Sequence, residues 1–147
     1  MKVEPATVAD HAGIWPLLLD LHAHEGVPTP GQANSDALRR LLGDPRFGRA
    51  FVVKKAGTVV AYAVVVYGYS LEFAGIDAFL DEINVSQDLR GQGLGTLLLE
   101  AAEAHCRTEG VAALHLEVGL SNPRAQALYQ RKGFVPHDRR LMTKRLS

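Results

Sequence analysis

The stretch DLRGQGLGTLLLE, which runs from Asp88 to Glu100, has glycine at every second position from 91 to 95. Glycine permits a positive φ and lacks the Cβ that would keep a ligand away from the backbone. The stretch lies between FLDEINV, a run typical of a β-strand, and a leucine-rich segment with helical spacing. The first N–H groups of a helix have no partner within it and carry the positive end of its dipole. This sequence therefore predicts a strand–turn–helix unit whose turn binds a phosphate group.

Two common phosphate-binding motifs do not fit these glycines. A P-loop requires a Lys followed by Ser or Thr after its last glycine, whereas Gly95 is followed directly by Thr96. The dinucleotide fingerprint G-x-G-x-x-G fits Gly91 and Gly93 but requires a glycine at position 96. Glu117 lies where a ribose-binding acid is expected, but only about thirty residues follow it, too few for the remaining βα units of that fold. Arg90, just before the first glycine, adds a fixed positive charge for a phosphate.

The rest of the chain predicts alternating strands and helices. The expected strands are Lys2–Ala6, Ala50–Lys55, Thr58–Tyr67, Phe79–Val85 and Ala113–Leu120, with final strand pieces at Phe134–Val135 and Leu141–Arg145. Three helices are expected at Asp10–His24, Ser35–Leu42 and Gly93–Glu109, and Pro16 predicts a kink in the first helix or a later start. A last helix is expected with Asn122 as N-cap, Pro123 at its first position and Gly133 after its end. This order predicts a single α/β domain over residues 1–147, with a mixed sheet and helices on both of its faces.

Composition narrows the class of protein. Lys plus Arg and Asp plus Glu each number 16, so the net charge is zero, which disfavours a nucleic-acid partner. The longest apolar run, Val59–Tyr67, is too short to cross a membrane. Cys106 is the only cysteine and is expected to be a buried, inert thiol; an intrachain disulfide is excluded, which favours the cytoplasm. The six histidines show no metal-binding spacing, so no metal site is expected.

Two blocks of this sequence resemble the GNAT superfamily of N-acetyltransferases. Arg90-x-x-Gly93-x-Gly95, after a strand and at a helix start, resembles the acyl-CoA-binding signature Q/R-x-x-G-x-G/A. The segment NPRAQALYQRKGF resembles the family's later block N-x-x-A-x-x-L/F-Y-x-x-x-G-F; the matching positions are Asn122, Ala125, Leu128, Tyr129, Gly133 and Phe134. The resemblance implies a mostly antiparallel sheet that splays to form a wedge for acetyl-CoA, as Gly119 would allow unless it marks a simple bulge.

The resemblance also implies which residues bind acetyl-CoA. The backbone of Ile83, Asn84 and Val85 would pair with the pantetheine arm in the manner of an added strand. The pyrophosphate would lie on the segment Arg90, Gly91, Gln92, Gly93, Leu94, Gly95 and Thr96. Asn122 would contact the cofactor, cap its own helix, or do both.

Catalysis in such a protein is a direct transfer that requires a base for the amine and an acid for the departing thiolate. Tyr129 matches the family's general acid; packing of its ring within the last helix is the alternative. Glu82 is the first candidate for the base and Asp81 the second, and as neighbours on one strand they are expected to point to opposite faces. Both can instead brace the sheet, and Glu117 is a third candidate.

The implied function is transfer of an acetyl group from acetyl-CoA to a primary amine of a small molecule or peptide. A non-catalytic acyl-CoA-binding module on the same fold and a dinucleotide-binding domain are the alternatives. The segments Glu25–Gln32 and Tyr67–Asp77 are expected to be loops that cover the acceptor site. Members of the family often dimerise, so a homodimer stays open as a partner.

Overall fold

The computed structural model describes all 147 residues, and the chain divides into two compact units, Met1–Leu116 and Glu117–Ser147. The first unit contains five strands: β1 Val3–Pro5, β2 Gly48–Lys55, β3 Thr58–Ser70, β4 Gly75–Val85 and β5 Leu114–His115. It also contains the helices α1 His11–His24, α2 Gln32–Gly43 and α3 Leu94–Thr108, and short 3-10 turns at Val8–Asp10 and Gln87–Leu89. The second unit contains one helix, α4 Pro123–Arg131. None of the helices combines the length and apolar character that a bilayer crossing requires.

The five strands lie side by side in chain order, from β1 to β5. The first four pair antiparallel, and β5 pairs parallel to β4. The hairpin between β2 and β3 turns at Ala56 and Gly57, both with positive φ (49° and 79°), the combination that matches the twist of a two-residue hairpin. The prediction of a mixed, mostly antiparallel sheet is confirmed.

Helices cover both faces of this sheet. On one face, α1 and α2 pack their apolar side chains, among them Ile14, Leu18 and Leu38, onto Val52 and its neighbours in β2 and β3. Phe51 points to the opposite face, because successive side chains of a strand alternate between faces. The centroid of its ring lies 5.6 Å from that of His105 in α3. The first unit therefore has the two-sided α/β architecture that was predicted.

The β3–β4 hairpin is longer than predicted. Pairing continues to Ser70 opposite Gly75, so β4 begins four residues before the predicted Phe79. Most of the predicted loop Tyr67–Asp77 is therefore strand, with a turn at residues 71–74. The glycines and serine of this segment indicate a loop, but continued ladder hydrogen bonding between two long strands outweighs that local preference.

The strands predicted after Ala113 are shorter than expected or absent. β5 is limited to Leu114–His115 instead of Ala113–Leu120, and residues 134–147, which include both predicted final strand pieces, contain no strand. A strand exists only where a neighbour supplies hydrogen bonds, and β5 pairs solely with Ala78 and Phe79 of β4. Alternating apolar residues alone could not show where that pairing stops.

One helix start differs from the predictions. α2 begins at Gln32 instead of Ser35, because the Asn34 side chain accepts the Gly31 N–H (3.0 Å) and so holds an earlier turn. Asp10 is the N-cap of α1, as predicted, although its carboxylate accepts the Thr7 N–H at 2.8 Å and not an N–H of α1. Pro16 lies inside α1, which runs past it without a break.

Candidate functional site

The backbone amides from Gly91 to Thr96 donate to no acceptor of the protein, and the first bond into α3 is from Leu97 N to the Gly93 carbonyl at 3.1 Å. The first two glycines of the motif have φ of 78° and 84°, which side-chain-bearing residues rarely adopt. Gly95 has no such φ, and a Cβ there would meet no atom within 4 Å. Two glycines therefore shape the turn, and the third leaves open space above the helix start. This row of amides at the positive end of α3 fits a phosphate group.

Arg90 links the glycine turn to α1. Its Nε donates to the Val85 carbonyl at 3.0 Å, and its Nη2 lies 2.9 Å from Oδ2 of Asp20. A hydrogen bond from Asn84, followed by the charges of His24 and Arg90, lowers the pKa of Asp20 below its ordinary value. Arg90, predicted to bind phosphate, thus also holds the glycine turn to the end of β4 and to α1.

One edge of β4 is open beyond Phe79, where pairing with β5 ends. The Ser86 N–H bonds to the Val60 carbonyl of β3 at 2.8 Å, and the alternation of an antiparallel ladder then turns the backbone groups of Ile83 and Val85 away from β3. The Val85 amide is held by the Asn84 side chain at 3.0 Å and its carbonyl by Arg90. The amide and carbonyl of Ile83 are therefore the pair that the open edge offers.

The Asn84 side chain fastens the end of β4 to α1. Its Nδ2 donates to the Leu17 carbonyl at 2.9 Å and to Oδ2 of Asp20 at 3.0 Å. Its Oδ1 accepts the Val85 N–H. The prediction that the Asn84 backbone pairs with the cofactor is not supported, because the same alternation turns its amide and carbonyl toward β3; Asn84 shapes the segment through its side chain.

Glu82 is held by two neighbours on the face covered by α1. Its Oε1 accepts the Tyr62 hydroxyl at 2.8 Å, and its Oε2 lies 2.5 Å from Nε2 of His22. The side chains of His22 and Glu82 are 19% and 15% exposed. Burial, followed by the charge of Glu82, raises the pKa of Tyr62 far above its ordinary value, so the phenol keeps its proton. The structure thus assembles a Tyr62–Glu82–His22 cluster from β3, β4 and α1.

Sequence reasoning did not find this cluster. His22 was considered only with the other histidines, as a possible metal ligand. A clue was available in its spacing, because His22 follows the buried Leu18 by one helical turn and so faces the sheet.

Asp81 is the extra residue of a β-bulge. Val64 pairs with Glu82 and Val65 with Leu80, so the register shifts by one residue at Asp81. The simple alternation assumed for Asp81 and Glu82 therefore does not apply, and the bulge places Glu82 and Leu80 on opposite faces. The Asp81 side chain is exposed. Bulges often redirect side chains beside active sites.

The second unit contains the remaining predicted site residues. Tyr129 is half-buried on α4, with its ring edge-to-face against Phe134 at 5.9 Å, and burial raises its pKa. The Asn122 side chain accepts the Ala125 N–H at 3.1 Å, which confirms the predicted N-cap. Glu117, the third candidate base, is the first residue of this unit and is exposed.

The described residues include no group of three or more His, Cys, Asp or Glu side chains able to hold a metal ion. Cys106 is buried on α3, and burial raises the pKa of its thiol.

A family model described as the acetyltransferase (GNAT) family matches residues 15–134. The chain belongs to the GNAT family. Members of this family use acetyl-CoA as cosubstrate, and its acceptors are amines of small molecules or proteins.

Three relatives illustrate the range of the family. The chain is 32% identical to a mycothiol acetyltransferase of Thermobispora bispora over 124 residues, which cover 81% of this chain and 41% of the relative. It is 29% identical to an IAA acetyltransferase of Azospirillum brasilense over 119 residues, 81% of this chain and 74% of the relative. It is 45% identical to the ribosomal protein bS18-alanine N-acetyltransferase of Salmonella typhimurium over 58 residues, 40% of this chain and 39% of the relative. The chain spans less than half the length of the mycothiol acetyltransferases it matches.

Solved structures share the fold. An integron cassette protein from the mobile metagenome of Cole Harbour Salt Marsh superposes with a TM-score of 0.85 at 29% identity, covering 99% of this chain and 91% of that one. A ribosomal-protein-alanine N-acetyltransferase from Brucella melitensis biovar Abortus 2308 superposes with a TM-score of 0.74 at 18% identity, covering 99% of this chain and 100% of that one. At that lower identity the likeness shows the fold alone.

Proposed function

We propose that residues 1–147 act as one N-acetyltransferase domain that moves an acetyl group from acetyl-CoA to a primary amine of a small molecule or peptide. The observation that carries the proposal is the row of amides from Gly91 to Thr96, which have no acceptor in the protein and lie at the start of α3. The resemblance of this segment to the GNAT acyl-CoA-binding signature, together with the anion-binding character of a helix start, supports binding of the pyrophosphate by this row.

Binding of acetyl-CoA would use three parts of the first unit. The amides of the glycine turn would hold the pyrophosphate, and Arg90 would add its charge. The open edge of β4 would pair with the pantetheine arm through the amide and carbonyl of Ile83. The groups of Val85 would join only if Asn84 and Arg90 release them. Asn122, in the second unit, would contribute through its backbone, because its side chain caps α4.

The acids of β4 would act on the acceptor. An amine is a cation before it reacts, so the carboxylates of Glu82 and Asp81 would attract it, and proton removal would then require a base at the same place. Glu82 is the acid on which proton removal depends in this proposal, because it is the one held on two sides.

Tyr129 would protonate the departing thiolate, an assignment that rests on its place in the second GNAT block. Its raised pKa supports this role, because the phenol keeps a proton to donate at neutral pH. Acetyl-CoA supplies the acyl group as a thioester, so no covalent intermediate on the protein is required.

Calorimetry with acetyl-CoA, followed by a screen of thiol release, tests the proposal. The screen should include peptide N-termini, amino acids, polyamines and aminoglycosides, each with a reaction lacking protein as control. We expect binding, and amine-dependent release with at least one class. Absence of binding at millimolar acetyl-CoA would exclude the proposal, and binding without transfer to any amine would favour a non-catalytic acyl-CoA-binding module.

A further inference from the structure

We propose that His22 is the catalytic residue that accepts the proton of the acceptor amine, and that Glu82 and Tyr62 are positioning residues that hold its imidazole. This inference rests on the proposed function and specifies how the carboxylate of Glu82 acts in it. It follows from the hydrogen bonds of the Tyr62–Glu82–His22 cluster.

The contact with Glu82 sets the tautomer of His22. An ionised carboxylate only accepts hydrogen bonds, so the imidazole nitrogen that faces it, Nε2 at 2.5 Å from Oε2, carries the hydrogen. The other nitrogen, Nδ1, then has a lone pair that can accept a proton. The His22 side chain is 19% exposed, and in this proposal the lone pair of Nδ1 is the basic atom that the acceptor amine reaches.

Glu82 is less suited to take the proton itself. One of its oxygens accepts from Tyr62 and the other from His22, so direct attack on an amine proton would require one of these contacts to break. Tyr62 is fully buried and keeps its proton, so it goes on donating. A carboxylate fixed in this way orients an imidazole and stabilises the imidazolium that proton transfer creates.

The surrounding charges support the same role. Besides Glu82, two carboxylates act on the Tyr62 end of the cluster: Glu25, which follows α1, and Asp81 at the bulge of β4. An acidic setting attracts a cationic amine to the cluster.

The position on the sheet also agrees. Glu82 precedes Ile83, whose backbone groups face the open edge of β4 where the acyl arm is proposed to lie. His22 covers this part of the strand from α1.

The ammonium of the acceptor first loses one proton to solvent. The neutral amine then attacks the thioester carbonyl, so that a C–N bond forms and its nitrogen becomes cationic. His22 Nδ1 takes one proton from that nitrogen. The C–S bond then breaks, and the sulfur leaves with the electron pair and takes a proton from the acid, Tyr129 in the proposed function. Transfer of a proton through solvent from the imidazolium to the phenolate restores both groups.

The test compares His22→Gln with His11→Gln, a matched control on the same helix whose half-buried ring bonds to Ser35. We expect His22→Gln to bind acetyl-CoA within about twofold of the unchanged protein while kcat/KM for the best amine falls roughly 10²–10⁴-fold. The ascending limb of the pH profile of kcat/KM should be lost. The control should keep both the rate and the profile.

Two further variants separate a chemical role from a structural one. Added imidazole should restore part of the rate of His22→Ala. Glu82→Gln should retain more activity than His22→Gln, with its ascending limb moved to lower pH, because a neutral amide stabilises the imidazolium less. An unchanged rate and pH profile in His22→Gln, or Glu82→Gln as the only inactive variant, would overturn the assignment. Failure of the unchanged protein to bind acetyl-CoA would instead exclude the proposed function, and this inference with it.

Discussion

Nη2 of Arg90 lies 2.9 Å from Oδ2 of Asp20, an ion pair between residues 70 positions apart that joins the glycine turn to α1. Arg90 contacts Val85 through Nε as well, so the residue expected to bind phosphate is partly engaged by the protein. Both side chains of the pair are substantially exposed (39% and 41%), and such pairs contribute about 0–1 kcal/mol to stability. The pair therefore contributes little to the stability of the fold, and its main effect is to fix the position of the Arg90 guanidinium.

The first prediction separates the charge of Arg90 from its bracing role. Arg90→Ala should weaken acetyl-CoA binding about tenfold, because a cation beside the amides is lost, which corresponds to about 1.4 kcal/mol. Asp20→Ala should bind at least as tightly as the unchanged protein, because the guanidinium loses its competing carboxylate. Calorimetry at low and high salt measures both. If Asp20→Ala loses as much affinity as Arg90→Ala, Arg90 acts through position and not through charge.

The second prediction concerns Gly95. A side chain there enters open space above the row of amides without backbone strain, so Gly95→Val should leave the melting temperature nearly unchanged and weaken acetyl-CoA binding more than tenfold. Gly31→Val, at the start of α2 where a Cβ also meets no atom, is the matched control and should bind normally. Normal affinity in Gly95→Val would show that the cofactor does not lie on these amides.

The third prediction concerns Tyr129 and pH. Burial raises its pKa above the ordinary 10.0, so the phenol is protonated, and active as an acid, at every pH below that value. The rate should therefore fall through loss of this proton only on the alkaline side of pH 10. Tyr129→Phe should lower kcat roughly 10²–10⁴-fold with little change in acetyl-CoA affinity. An unchanged kcat in this variant would remove Tyr129 from the mechanism.

The fourth prediction concerns stability. Asp10 is 8% exposed at its side chain, accepts the Thr7 N–H and pairs with Lys54 at 2.9 Å. Burial pushes its pKa up, but the Thr7 amide and the Lys54 ammonium outweigh it, and the folded-state pKa lies below the ordinary 3.8. The carboxylate thus stabilises the fold above pH 3.8, and this contribution is lost as the pH falls through the folded-state value. Asp10→Ala should lower the free energy of unfolding by about 1–3 kcal/mol at neutral pH.

Urea unfolding at several pH values checks this last expectation. The difference in the free energy of unfolding between the unchanged protein and Asp10→Ala should become smaller as the solution is acidified below pH 3.8. A difference that is the same at all pH values would show that the charge of Asp10 does not stabilise the fold.

Local sequence rules predicted the features that depend on a few neighbouring residues. The two-residue turn between the strands predicted to end at Lys55 and to begin at Thr58, the cap at Asn122 and the glycine turn before α3 all follow from backbone conformations that particular residues favour. The length of β5 could not be predicted in this way, because a strand ends where its neighbour stops pairing.

The candidate site shows the same limit. The glycines and Glu82 could be identified from the sequence, whereas the bulge at Asp81 depends on the register between two strands. The contact of His22 with Glu82 joins residues 60 positions apart and depends on how α1 lies across the sheet. Arg90 was assigned by its charge and by its place in the acyl-CoA-binding motif, whereas its partner Asp20 emerges only from the packing of α1 beside the glycine turn.

Acetyl transfer itself provides the most direct test of the central claim. Purified protein is incubated with acetyl-CoA and each member of the amine panel while free thiol is followed, and the products are identified by mass spectrometry. The account predicts thiol release that requires both protein and amine and that matches the amount of N-acetylated product. Thiol release equal to that without amine, with no N-acetylated product from any class of acceptor, would contradict it.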